Sequence, residues 1–169
     1  MKNFKHYSQV DTEVLREIWN DILVDGVAFP GLDLYSSAAF EKKLAAYDQV
    51  DVLLVDDQIA GFYLIKANNE GRASHVANGT YAVNKAFRGQ GLINDLVAKS
   101  IETAKMHGFR GIQFNAVMAE NKAAIHTYEK FGFEIVGTIP GGFQVKDGRY
   151  LDMHIMYLDL TKTNPKIRS

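Results

Sequence analysis

The chain has 169 residues, a net charge of −1 and no cysteine, a size that suits one domain with a full hydrophobic core (residues 1–169). The balanced charge without a basic run argues against a nucleic-acid partner, and the missing cysteine excludes disulfides, thiolate metal sites and any cysteine-bound intermediate. No signal peptide and no membrane-length apolar run are present, so the expectation is a cytoplasmic protein with no membrane partner.

Residues 4–10 read as a short strand. Asp11 or Thr12 then caps a helix with Val14, Leu15, Ile18 and Trp19 inward and Glu13 and Arg16 toward water. Glycines and a proline break the chain over residues 25–31, and a second helix runs from Ser36 or Ser37 to Tyr47 with Phe40 and Leu44 inward. Residues 50–55 and 59–65 form a hairpin around Asp56-Asp57-Gln58. After a polar turn over residues 68–72, the next strand spans residues 75–83. A long helix follows, with Leu92, Ile93, Leu96, Val97, Ile101 and Ala104 on one face and Gly108 closing it. Then come a strand over residues 112–117, a short helix over residues 122–131 and a final hairpin over residues 135–160 that turns at Asp147-Gly148. The polar tail from Lys162 onward is expected to fray. This order implies an α/β domain with a mixed sheet.

The stretch Arg88-Gly89-Gln90-Gly91-Leu92-Ile93 joins a strand end to the mouth of the long helix. Glycines there let a ligand approach free N–H groups, which favour an anion and above all a phosphate. A bare strand-to-helix turn is the plainer reading. A dinucleotide fingerprint lacks its third glycine, because Asn94 stands there, and no acidic residue closes the next strand. A nicotinamide-dependent oxidoreductase is therefore disfavoured.

Residues 88–93 resemble the acyl-CoA pyrophosphate loop of the GNAT superfamily of N-acetyltransferases, Gln/Arg-x-x-Gly-x-Gly/Ala. Arg88 and Gly91 match; Ile93 departs from the small final residue. Val83, five residues before the arginine, matches the strand-end position whose backbone pairs with pantetheine in that family. Downstream, Asn121, Ala124, Tyr128, Gly132 and Phe133 resemble the family's Asn-x-x-Ala-x-x-x-Tyr-x-x-x-Gly-Phe segment. Residues 75–81, Gln113-Phe114-Asn115 and residues 137–143 resemble one GNAT branch, which includes fungal acetyltransferases of azetidine-2-carboxylate and other proline analogues.

The resemblance implies a GNAT fold, a mixed and mostly antiparallel sheet flanked by helices. It implies acetyl-CoA as co-substrate, no metal, and transfer of acetyl to a small, amino-acid-like amine within a ternary complex. Tyr81, Ala82 and Val83 would align the pantetheine, with backbone amide at Val83 polarising the thioester carbonyl. Arg88, Gly89, Gln90, Gly91, Leu92 and Ile93 would hold the pyrophosphate, and Asn121 would bond the pantetheine arm or the phosphate side. Tyr128, seven residues and nearly two turns after Asn121, would protonate the departing thiolate. Asn78 and Asn115 would bind the acceptor's carboxylate or position its amine. Phe29 and Tyr35 would line the acceptor pocket, and Phe143 would lie over it as a lid. GNAT domains often pair, which extends the expectation to a homodimer.

Simpler roles stand beside these: Asn121 as a helix cap, Tyr128, Phe29 and Tyr35 as packing, Asn78 and Asn115 as amides paired at a bulge that Gly79 permits. A general base is not evident. His75, Glu120, Asp152 and His154 are the nearest candidates, with a water held by Asn78 or Asn115 as the other route. The five histidines show no metal spacing. A non-catalytic acyl-CoA-binding sensor is the alternative function.

Overall fold

The computed structural model describes residues 1–162, so residues 163–169 of the expected frayed tail lie outside the described residues. Seven strands form one sheet: β1 (Lys2–His6), β2 (Gln49–Val55), β3 (Gln58–Ala67), β4 (Val76–Val83), β5 (Gly111–Met118), β6 (Glu134–Gln144) and β7 (Tyr150–Asp159). Their order across the sheet is β1-β2-β3-β4-β5-β7-β6, and every neighbouring pair is antiparallel except β4 and β5. Four helices cover it: α1 (Thr12–Asp25), α2 (Ser37–Ala45), α3 (Leu92–Met106) and α4 (Lys122–Lys130).

The first strand is shorter than the expected span of residues 4–10. Ser8 and Asp11 stop it: the Asp11 carboxylate accepts from both the backbone N–H and the hydroxyl of Ser8, folding the chain into a 3-10 turn over Gln9–Asp11. The first helix buries Leu15, Ile18, Trp19, Ile22 and Leu23 at spacings of three and four. Val14, expected inward, is exposed, because it lies one residue and about 100° round from Leu15, at the edge of that stripe. In the β2–β3 hairpin Asp56 and Asp57 both take positive φ, the two-residue turn whose twist suits paired strands.

Alternation along the strands divides the core in two. Val50, Val52, Phe62, Leu64 and Ala82 pack under α1 and α2. Leu53, Tyr63, Ile65, Ala77, Tyr81, Ile112 and Phe114 pack under α3 and α4. On this second side Tyr63 bonds the buried Asp51 carboxylate and lies 2.7 Å from the Thr103 hydroxyl of α3.

The parallel pairing of β4 with β5 sets up the site. It joins Val76 to Gly111, Ala77 to Ile112 and Asn78 to Gln113, and goes no further. Beyond Phe114, β5 bulges against β7, with the register slipping between Phe114 and Val117. No slip occurs at Gly79, where the simpler reading of Asn78 allows a bulge; the slip lies on β5 instead. The far end of β4 is held against β3 by a close approach at Gly61, where a Cβ would fall 2.6 Å from the Ala82 carbonyl oxygen.

Candidate active site

Backbone polarity follows from the β4 ladder. The Asn84 amide donates to the Ala60 carbonyl (2.8 Å) and the Asn68 amide to the Val76 carbonyl (2.8 Å), so even-numbered β4 residues turn their polar groups toward β3. The His75 carbonyl instead accepts from Arg110 on the β5 side (2.8 Å). Odd-numbered Tyr81 and Val83 therefore aim N–H and C=O at the β5 side, where pairing has already ended. A half-sheet with unpaired donors and acceptors is a template for an extended ligand.

The strand runs straight into the glycine loop. The Asn84 side chain accepts from the Ala86 amide and donates to the Ile59 carbonyl, both at 3.0 Å, which fixes the exit from β4. A 3-10 turn over Lys85–Phe87 follows. Gly89 (φ 81°) and Gly91 (φ 71°) both take the left-handed conformation, and Gly91 is the N-cap residue of α3. Asn94, in place of a third glycine, donates its Nδ2 to the Gly91 carbonyl at 2.9 Å and so closes the turn. Leu92 is buried and Ile93 packs partly against the core, leaving their amides at the helix mouth. Arg88 pairs with Asp25 (3.0 Å) and Lys85 with Asp21 (3.1 Å), both at the C-terminal half of α1.

A cleft of about 690 Å³ opens where β4 and β5 part. Asn78, Tyr81, Asn115, Asn121 and Tyr128 line it from the sheet and α4; Phe29, Tyr35 and Lys43 line it from the α1–α2 side. The Asn121 side chain caps α4, accepting from the Ala124 amide at 3.2 Å. Tyr128 follows two turns later, its ring 4.5 Å from Phe114, 5.9 Å from Phe133 and 6.2 Å from Tyr81. Burial pushes the Tyr128 phenol up to about 12. It therefore stays a neutral donor at physiological pH. Tyr81 turns its own hydroxyl away to Ser100 (2.8 Å), so backbone is what it presents to the gap.

The asparagines form an amide chain. Asn78 donates to the Gln113 carbonyl (3.1 Å), Gln113 donates to Asn115 Oδ1 (3.0 Å), and Asn115 donates to Asn68 Oδ1 (2.7 Å). Ala82, Val83 and residues 88–93 lie outside the cleft wall, along the β4 end and the α3 mouth.

Phe143 does not reach the cleft. It is 4% exposed within β6, opposite Leu151, and the expected lid position is corrected to a buried strand residue. The interruption before it is real: the register slips between Ile139 and Phe143, and Gly141 donates its amide to Asp152 (3.0 Å). That bond and the contact of His154 Nδ1 with the Thr138 hydroxyl (2.8 Å) engage two of the base candidates away from the cleft.

The model of the acetyltransferase (GNAT) family matches residues 13–133. The chain belongs to this family. Its GNAT fold is shared with a phosphinothricin acetyltransferase of Sinorhizobium meliloti solved in complex with acetyl-CoA, at TM-score 0.87 and 19% identity, covering 99% of both chains. It is 33% identical over 101 residues to the N-acetyltransferase aca1 of Schizosaccharomyces pombe, covering 60% of this chain and 46% of that one. It is 29% identical over 106 residues to the L-amino acid N-acetyltransferase AaaT of Escherichia coli, covering 62% of this chain and 64% of that one. The chain thus spans less than two thirds of the length of either relative.

In this GNAT chain several cleft residues escaped the sequence reading, and Lys43 is the cation among them. Lys43 places its ammonium 4.7 Å from the Trp19 ring centroid, 5.4 Å from Tyr35 and 5.7 Å from Tyr47. Its neighbours Phe40 and Leu44 carried the helical stripe, and an isolated lysine beside them gave no signal; only a cation spaced four residues from Tyr47 hinted at it.

Proposed function

We propose that the chain is an acetyl-CoA-dependent N-acetyltransferase of small, amino-acid-like amines, working by direct transfer. The observation that carries this reading is the backbone of Tyr81 and Val83, left without a β5 partner where the two strands part, beside the cleft that Tyr128 lines. In this reading the amides of residues 88–93 and the Arg88 guanidinium hold the pyrophosphate, and the β4 edge pairs with the pantetheine arm. The Val83 N–H stabilises negative charge on the thioester oxygen as the amine nitrogen bonds to the carbonyl carbon. The carbon–sulfur bond then breaks, the Tyr128 hydroxyl gives its proton to the thiolate, and the phenolate so formed is reprotonated from water. The new amide's extra proton leaves through water at the Asn78–Asn115 end of the cleft, since the one carboxylate on the wall is the exposed Asp33 and no histidine lines it. The name of the E. coli relative supports an amino-acid acceptor, and the cleft volume suits a small molecule rather than a protein surface.

Thiol release from acetyl-CoA across proline analogues, free amino acids, polyamines and short peptides tests this. Release with amino-acid-like amines is the expected result. Acetyl-CoA that stabilises the protein yet is never consumed with any amine would overturn the enzyme in favour of an acyl-CoA sensor, the reading that the bare, base-poor cleft wall favours.

A further inference from the structure

Lys43 is a half-buried cation in search of an anion. It rises from α2 into a box of three rings, Trp19, Tyr35 and Tyr47, at the distances given above. No carboxylate among the described residues pairs with it, and burial alone pushes its ammonium below the usual lysine range. Ring faces steady a cation but leave its charge uncompensated. A second ammonium, Lys66, stands 4.7 Å from the same Tyr47 ring and adds to the positive field. Across the cleft Asn78, which lines the sheet wall, spends its Nδ2 on the Gln113 carbonyl, while its Oδ1 accepts no hydrogen bond from the described residues. The polarity is that of a zwitterion's complement: cation on the α2 wall, carbonyl acceptor on the sheet.

We propose that Lys43 is the carboxylate anchor of the acceptor site and selects carboxylate-bearing amines over polyamines and amino amides. The inference rests on the acceptor cleft of the proposed acetyltransferase. The anion brings its charge to a desolvated ammonium already oriented by aromatic rings, so little side-chain freedom is lost on binding. The uncompensated cation repels a second positive charge, which disfavours diamines.

The test uses an amino acid and its carboxamide, identical at the amine. Wild-type protein should show a KM for the acid roughly tenfold or more below that for the amide. Lys43→Met should raise the acid's KM by about the same factor, with kcat little changed and the amide untouched; Lys43→Arg should restore much of the preference. Acetyl-CoA stabilisation of Lys43→Met confirms that the variant folds. Equal effects on acid and amide, or none on either, overturn the proposal. A binding arm separates it from the catalytic reading. Trp19 is the sole tryptophan and lies against Lys43, so its fluorescence reports titration with the N-acetyl amino acid or its amide in the presence of CoA. Lys43-dependent binding of the acid without turnover of any amine would keep the anchor and overturn the enzyme. Turnover without acid preference would do the reverse, and neither binding nor turnover would overturn both.

Discussion

The Tyr128 ring rests 4.5 Å from the Phe114 ring, and Phe114 is the last residue of β5 in register before its bulge. The helix that carries the candidate acid is thus seated on the point where the sheet opens. Phe133 stacks on the other contact of Phe114 at 4.4 Å, so three aromatics lock the geometry. Replacing Tyr128 with Phe keeps this packing and removes only the hydroxyl. We expect kcat to fall about 100-fold, with acetyl-CoA affinity little changed. Equal loss in both quantities would rule out the acid role.

The raised phenol sets a pH window. Tyr128 titrates near 12 in the folded chain against about 10 when exposed, so the folded state holds its proton longer than the unfolded one. Stability is fully present below about pH 10 and drains away as the pH climbs toward 12, by about 2–3 kcal/mol for this group. Tyr63 and Tyr81, pushed up by burial, act in the same direction. Denaturant midpoints at rising alkalinity should fall in wild type and fall less in Tyr128→Phe. Turnover should show no loss from this group between pH 7 and 10.

If Arg88 holds the pyrophosphate as proposed, its ion pair with Asp25 competes with that ligand. Both partners of that ion pair are about half exposed, which limits its strength to about 0.2–1 kcal/mol. Asp25→Asn should free the guanidinium and tighten CoA binding about two- to fivefold at low salt. Calorimetric titration at two salt concentrations reads this, and weaker binding would show that Asp25 orients Arg88 instead of restraining it.

Gly61 has no room for a methyl group, since the Ala82 carbonyl oxygen would be 2.6 Å from it. Gly61→Ala should cost about 1–3 kcal/mol in chemical denaturation. It should also displace the β4 end and lower turnover at least about tenfold. Unchanged turnover alongside lost stability would separate the β4 end from the chemistry.

What could be read from residues alone was local. The α1 stripe apart from Val14, the Asn121 cap, the glycine pair at the α3 mouth and the β2–β3 turn each depend on neighbours within a few positions, and each stands where the pattern put it. The misplacements depend on distant partners. The resemblance puts Phe143 over the acceptor as a lid, but β7 draws it into the sheet. The bulge belongs to β5, where the register against β7 slips, and the Asn-Gly of β4 gave no hint of that. Lys43 acquires meaning only when α1, the following loop and α2 bring three rings around it. No linear period encodes such a box.

The parting of β4 and β5 has an evolutionary consequence. Along the β4 edge the donor thioester would be read by main-chain groups, which every residue except proline supplies in full. Substitution at Tyr81, Ala82 or Val83 changes side chains that point into the cores and leaves that lettering in place. The opposite wall, from Phe29 through Lys43 to Tyr47, is written in side chains, so substitution there changes what the cleft presents. Such a division lets a lineage exchange one acceptor for another while its acyl donor stays the same.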